Sequence, residues 1–357
     1  MAFQVLPRTE ASATMRLAAP VGATVLMLII GAIFLVAMGK SPALGWQAFI
    51  AEPLGSLDGL SELLLKAVPL FVIALGLTAG FRSGVWNIGA EGQLIIGAIA
   101  AAWLAVVTDG MDGWWILPAM MLVAGSAGAA WAAIPAFLRV RYRTNEILVS
   151  LMLVYVATFV LTWVIYGPLK DPQGMGFPQS ILFSDPALFS PLSDEFRLNT
   201  TVWIALAALP LFWIYLDRSF AGYQLQVGGL APLAAGYAGY SGNRAIWTSL
   251  LLGGFCAGLA GAFEVGGPLG QLTKDVSNNY GFAAIIVAFL GRLHPLGILI
   301  ASLLMSMLYI GGDKAQVMMD LPNAITGLFQ GLLLLLLLAC DFLVNNRVQW
   351  RRIGAPA

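Results

Sequence analysis

Between Trp86 and Ala98 the chain reads WNIGAEGQLIIGA, which sets Asn87, Glu91 and Gln93 at the head of a long apolar run. A carboxylate and two amides so close together offer both donors and acceptors to a polar solute. An ionisable group in a membrane-spanning run is costly, and it faces a wet cavity or a partner helix. Gly89 and Gly92 flank Glu91 and permit irregular backbone, which at membrane depth is tolerated only against protein or a water-filled path. Two readings stay open. The three polar residues line a solute pathway, or Glu91 pairs with Arg82 at the inner interface and locks the second and third spans together.

Other stretches carry less chemistry. Gly39-Lys40-Ser41 resembles the tail of a phosphate-binding loop, but Phe34 stands where that motif needs its first glycine. No other stretch offers a nucleotide cradle, so any ATP must be bound by another chain. His294 is the only histidine, beside Arg292 and Pro295, and reads as a structural or interfacial residue. Cys256 and Cys340 lie in apolar runs, show no metal-ligand spacing and read as small packing residues. Gly254, Gly258 and Ala262 recur every fourth residue and predict close helix packing, which could also serve a dimer contact. Arg139, Arg141 and Arg143 read as a topology anchor, with Glu146 available for local pairing, and Glu264 reads as a solvated group near a helix end.

These residues need elements to position them, and composition says which kind. Of 357 residues, 59% are hydrophobic and only 10% are charged. A soluble domain carries roughly 25% charged residues, and about 20 apolar residues cross a bilayer as a helix. The fold class expected is all-α: a single polytopic transmembrane domain over 1–357, of about ten spans. Their limits are near 17–38, 60–81, 88–107, 114–138, 146–166, 201–216, 245–264, 280–291, 295–311 and 324–343. The first run is too long for the core of a signal peptide and reads as a retained helix. The sixth is short for a full crossing. Tyr280 to Gly291 is too short to cross at about 1.5 Å per residue, so a broken span is expected there. Net charge is zero, which gives no field for nucleic acid.

Ten spans with an internal N-terminus place twelve Lys and Arg residues inside, from Arg8 and Arg16 to Arg351 and Arg352, and six outside, out of 18 in all. That is the bias of the positive-inside rule, and it puts both termini, 1–16 and 344–357, in the cytoplasm. The longest external loop, 167–200, holds Pro168, Pro172, Pro178, Pro186 and Pro191 and must be stiff and irregular. It either docks an external partner or covers helix ends.

Three stretches carry a family resemblance: SGVWNIGAEGQ (Ser83 to Gln93), DRSFAGYQLQVGGLAPLAAGYAGYSGNRAIWTSLLLGGFCAGLAGAFEV (Asp217 to Val265) and GFAAIIVAFLGRLHPLGI (Gly281 to Ile298). Together they resemble the permease subunits of ABC importers for nucleosides and simple sugars, within the branched-chain amino acid and ribose permease group. The resemblance covers most of the chain from the second span onward. It implies a bacterial inner-membrane, multi-pass protein that forms the solute path and does no chemistry of its own. It also implies the partners: a cytoplasmic ABC ATPase holding ATP and Mg, a second permease subunit that is different but related, an external substrate-binding protein and the lipid bilayer. No cofactor, metal or nucleic acid is expected on this chain.

The cytoplasmic segment 217–244 resembles the part of such permeases that couples to the ATPase. Its matched positions here are Gly222, Gly229, Pro232, Ala234, Ala235, Tyr237, Ala238 and Gly239. Local physics agrees with a short helix, since proline opens one well and glycine ends one. Relatives commonly carry arginines where Gln226, Leu233 and Gly236 stand, so pairing with the ATPase should lean on packing and on Arg218 and Arg244. The function expected is therefore an ABC importer permease for nucleosides or simple sugars. The alternative is an ion-coupled secondary transporter, which wants midplane carboxylates in symmetric halves; only Glu91 and Glu264 come near. An intramembrane enzyme would want paired acids or a partnered histidine.

Overall fold

The computed structural model describes residues 2–7, 13–174, 176–193, 195–322 and 324–351. Arg8 and Arg352, two of the expected cytoplasmic charges, lie outside them. Among the described residues, nine helices are long and apolar enough to cross a membrane, and one further apolar helix is short. The chain divides into two compact units, residues 1–56 with 307–357 and residues 57–306.

In the first unit, α1 (Ala13–Ala37) packs with α14 (Ala324–Asn345). Gly39 at φ +72° ends the turn after α1, so the Gly-Lys-Ser stretch is the close of a helix. Two short helices, α2 (Pro42–Trp46) and α3 (Glu52–Gly55), joined by a π-helical turn at Gln47–Ala51, follow where only a loop was expected. Phe49 of that turn meets Phe329 edge-on at 5.1 Å between ring centres. Strand β1 (Ala2–Pro7) pairs antiparallel with β4 (Asn346–Arg351).

The second unit is built around α11 (Gly242–Glu264), which packs on α4 (Leu57–Arg82), α5 (Ala90–Val107) and α6 (Ile116–Tyr142). The small-residue ridge makes this packing possible. At Gly258 an added Cβ would run into the backbone of Ala124, and one at Gly97 into the backbone of Gly258. Close backbone approach of this kind is how helices associate where lipid offers no hydrophobic drive. α7 (Glu146–Tyr166) flanks α5 and is capped by Asn145, whose side chain accepts from the Ile147 amide at 2.9 Å. Glu146 pairs with Arg139, as the local spacing suggested. The sixth span is Thr201–Arg218, in which α8 (Thr201–Trp213) continues through a π-helical turn to reach spanning length.

The loop over 167–200 folds down on its own unit. Phe189 and Phe183 donate to the carbonyls of Gly266 and Gly270 at 2.7 and 2.9 Å, and Ser180 exchanges hydrogen bonds with Leu272. A short ribbon, β2 (Pro191–Ser193) with β3 (Phe196–Asn199), closes it. The loop covers helix ends, as one of its two readings has it, and keeps Phe177, Leu182 and Leu192 exposed. Glu264, expected in solvent, is buried beneath it, within reach of the charges of Lys66 and Arg197.

The eighth span is broken, as its length required. After the π-helical turn Val265–Leu269 the chain runs without helix from Gly270 to Asn279, and α12 (Tyr280–Leu290) then continues for 11 residues. That is about 16 Å of helix, half of the about 30 Å a hydrocarbon core measures. A turn at Gly291–His294 leads into α13 (Pro295–Met319), eight residues longer than the apolar run alone indicated.

Candidate functional site

Two places gather the residues singled out above. The first is the junction where the turn after α4 meets both ends of α12. The turn from Ser83 to Gly89 is non-helical, so α5 starts inside the bundle and not at its surface. Asn87 and Gln93 face each other there. Their amides exchange hydrogen bonds at 2.9 and 3.0 Å, and the Asn87 carbonyl oxygen also accepts from the Gly89 amide at 3.0 Å. Both side chains are buried.

Glu91 is buried as well, only 5% exposed. Its carboxylate accepts from the Ser277 hydroxyl at 2.6 Å and from the Gly281 amide at 2.7 Å. A helix N-terminus leaves donors without intrahelical partners, and a carboxylate meets both that need and the local dipole. Glu91 therefore caps α12 from a neighbouring helix. Gly281 makes this possible by having no side chain, since a Cβ there would collide with the Glu91 backbone.

The expected Arg82–Glu91 pair does not form. The chain reverses after Arg82, which sends the two side chains to different partners. Arg82 reaches Asp217 at 2.6 Å and donates to the Leu293 carbonyl from both Nε and Nη2, at 3.1 and 2.7 Å. Its other guanidinium nitrogen also reaches the Leu216 carbonyl at 3.3 Å. His294 lies 3.9 Å from Asp217. The segment from Arg82 to Glu91 thus holds α12 at both ends, through Arg82 at the turn after it and Glu91 at its start. No local sequence signal could have found this, because the partners lie 211 and 190 residues away.

The second place is the segment that resembles an ATPase-coupling element. It forms two helices, α9 (Phe220–Leu230) and α10 (Pro232–Tyr237). Ser219 caps α9 by accepting from the Gly222 amide at 3.0 Å. Pro232 opens α10, and Gly239 at φ +80° closes it. The matched positions divide by burial. Gly222 and Ala235 are buried, and Gly229 lies flat on the Arg82 carbonyl, leaving no room for a side chain. Pro232, Ala234, Tyr237, Ala238 and Gly239 are exposed, with Tyr237 at 95%. Leu230 and Leu233 are exposed beside it. Three large apolar side chains fully in the open are an uncovered contact surface. The Gly229 contact puts this surface in direct backbone touch with the segment that holds α12.

A cavity of about 210 Å³ lies between α9, α10 and the start of α11, lined among others by Tyr215, Gln224, Arg244 and Thr248. Among the described residues no group of three His, Cys, Asp or Glu side chains comes together as a metal site.

Comparison with known proteins covers the stretch that holds both places. A family model described as "Branched-chain amino acid transport system / permease component" matches residues 59–338. The glucose ABC transporter permease protein TsgB13 of Haloferax volcanii is 34% identical, covering 97% of this chain and 93% of that protein. The guanosine ABC transporter permease protein NupP of Bacillus subtilis is 31% identical over 88% of this chain and 91% of its own. The nucleoside ABC transporter permease protein NupB of Lactococcus lactis is 31% identical over 84% of each. In each of these organisms a second ABC permease matches more weakly, at 30%, 28% and 24% identity. No solved structure matches the chain.

Proposed function

The chain belongs to the permease-component family of branched-chain amino acid transport systems, and we propose that it moves nucleosides or simple sugars inward as one membrane subunit of an ABC importer. It is a transport subunit and not an enzyme. The observation that carries this reading is similarity along nearly the whole chain to permeases of glucose, guanosine and nucleosides.

ATP and Mg belong to a separate cytoplasmic ATPase pair, which grips the exposed face of α10 through Tyr237 and Leu233, and the end of α9 through Leu230. Pro232, Ala234, Ala238 and Gly239 allow that approach, while the buried Gly222 and Ala235, with Gly229 against the Arg82 carbonyl, seat α9 and α10 on the bundle. Closure of the ATPases moves these helices as a rigid body, and the Gly229 contact passes the motion to Arg82 and so to α12. Asn87, Glu91 and Gln93 belong to the pathway by bracing the broken span that borders it.

Both termini lie in the cytoplasm of a bacterial inner membrane. The paired terminal strands support ends on one side, and the positive-inside bias supports which side. A different, related chain completes the membrane unit, a reading supported by the second permease found in each of the three organisms. An external binding protein delivers the solute onto the loop 167–200.

The test is uptake by vesicles holding the purified permease pair with its ATPase and binding protein. ATP-dependent entry of guanosine or glucose is expected. Carriage of an amino acid instead, or uptake driven by an ion gradient without ATP, overturns the assignment.

A further inference from the structure

α8 and α11 both pack on α4, and a cleft lies between the end of α8 and the start of α11. Two cavities share it. One is the cavity of about 210 Å³ described above. The other, of about 290 Å³, is lined by Leu211 and Phe212 of α8 and Leu252 of α11. Tyr215 and Thr248 border both, so the two adjoin. Their chemistry differs. Arg244, Gln224, Tyr215 and Thr248 bring polar atoms to the first, and no acidic side chain lines it. None of these four side chains is hydrogen-bonded or ion-paired to another among the described residues. The second is apolar beyond its shared neck.

Depth decides what fits. α11 starts at Gly242, and Leu252 lies about 15 Å further along its axis. That is half of a hydrocarbon core of about 30 Å, the depth of one leaflet. The cleft therefore sets an uncompensated cation at headgroup level above an apolar groove one leaflet deep. A soluble anion would suit only the first cavity, and an apolar helix only the second. An amphiphile with an anionic head and a hydrocarbon tail suits both, because a guanidinium without a counter-charge favours a negative partner and the groove favours carbon.

Resting on the permease reading above for which end faces the cytosol, we propose that this cleft holds one anionic phospholipid of the inner leaflet. Its phosphate accepts hydrogen bonds from the Arg244 guanidinium, the Gln224 amide and the Tyr215 hydroxyl. One acyl chain passes the neck at Thr248 and lies along Leu211, Phe212 and Leu252. Basic pockets between membrane helices on the cytoplasmic side take anionic headgroups in this way. Pro232, Ala235 and Gly239 line the same polar cavity. The headgroup thus sits between α10 and α11 and braces the coupling helices, so that ATP-driven work depends on the lipid.

The test is lipid retention by the complete transporter, reconstituted in nanodiscs of phosphatidylcholine with phosphatidylglycerol and then weighed by native mass spectrometry after release. One phosphatidylglycerol is expected to stay on each copy of this chain in preference to phosphatidylcholine. Arg244→Gln should weaken that retention about tenfold, the scale of one lost charge-assisted hydrogen bond. Leu252→Trp, which fills the groove and keeps Arg244, should weaken it as much, whereas Arg141→Gln, at another exposed arginine, should leave it unchanged. Leu252 lies within the membrane, so its variant stays informative should Arg244→Gln loosen the ATPase. A parent complex that retains no phosphatidylglycerol would mean that a second subunit covers the cleft, and it overturns the proposal. Retention that survives both variants overturns it too. Loss in Arg244→Gln but not in Leu252→Trp would mean a site for a soluble anion, and that also sinks the lipid. ATP hydrolysis by the parent should run several-fold faster with phosphatidylglycerol than in phosphatidylcholine alone, and Leu252→Trp should lose this advantage; equal rates in the parent overturn the bracing role. Retention is read without solute, so a bare cleft leaves the uptake of guanosine or glucose standing, and failed uptake leaves the lipid result standing.

Discussion

The start of α12 and the short helix α10 depart from the usual rule of burial in opposite directions. At the first, a carboxylate and two amides are shut inside the bundle, each with hydrogen-bond partners at ordinary distances, one of them a half-buried hydroxyl. At the second, Leu233 and Tyr237 stand in the open beside Leu230 at the end of α9. Polar groups are buried only where they repair something, and here they repair a helix end that the membrane would leave unsatisfied. Large apolar groups are exposed together only where something else covers them. The first region is therefore complete within one chain, and the second, on the function proposed above, is half of an interface.

That contrast can be broken by mutation. The largest effect is expected at the closed junction. Glu91→Ala leaves the Ser277 hydroxyl and the Gly281 amide without their acceptor and opens a void, which should cost about 3 kcal/mol, the scale of a broken buried charged network. Denaturant unfolding in detergent measures it, and Glu91→Gln should recover part of the loss, because the amide oxygen still accepts. Unaltered stability in Glu91→Ala would mean that α12 does not depend on its borrowed cap.

At the open surface the balance should reverse. Tyr237→Ala with Leu233→Ala removes only exposed side chains, so the unfolding midpoint should stay within about 0.5 kcal/mol of the parent. Solute-stimulated ATP hydrolysis should fall about tenfold or more, in keeping with loss of a central aromatic anchor. Full coupling in this double variant would leave α10 without its assigned partner.

The smallest effect is expected at the loop end, where Arg197 and Glu62 pair at 3.2 Å with the arginine largely in solvent. Arg197→Ala should change stability by less than about 1 kcal/mol, and less still at high salt.

Apolar run length exposed most of the bundle to reading from sequence, because a span leaves an uninterrupted stretch that nothing else produces. The break before α12 was legible for the same reason: twelve apolar residues cannot cross. The ends of α10 were legible because Pro232 and Gly239 act locally. The pairings at the junction were not. Glu91 lies nine positions from a plausible cation in Arg82 and finds its true partners near position 280, through a chain reversal that periodicity does not encode. The helices between Pro42 and Gly55 were missed because they are too short to show a period, and Glu264 looked solvated because the loop that covers it folds back from more than about 60 residues upstream in the chain.

The bare glycine contacts of α11 have a mechanical side. Where backbone rests on backbone there is no cushion of side chains to shear, so α4, α5, α6 and α11 cannot slip past one another singly and must travel as a block. An eleven-residue rod hinged at a stretch of loose chain on one side and a tight turn on the other is then the lightest moving part in the span, and a pull from the cytosol has little else to shift.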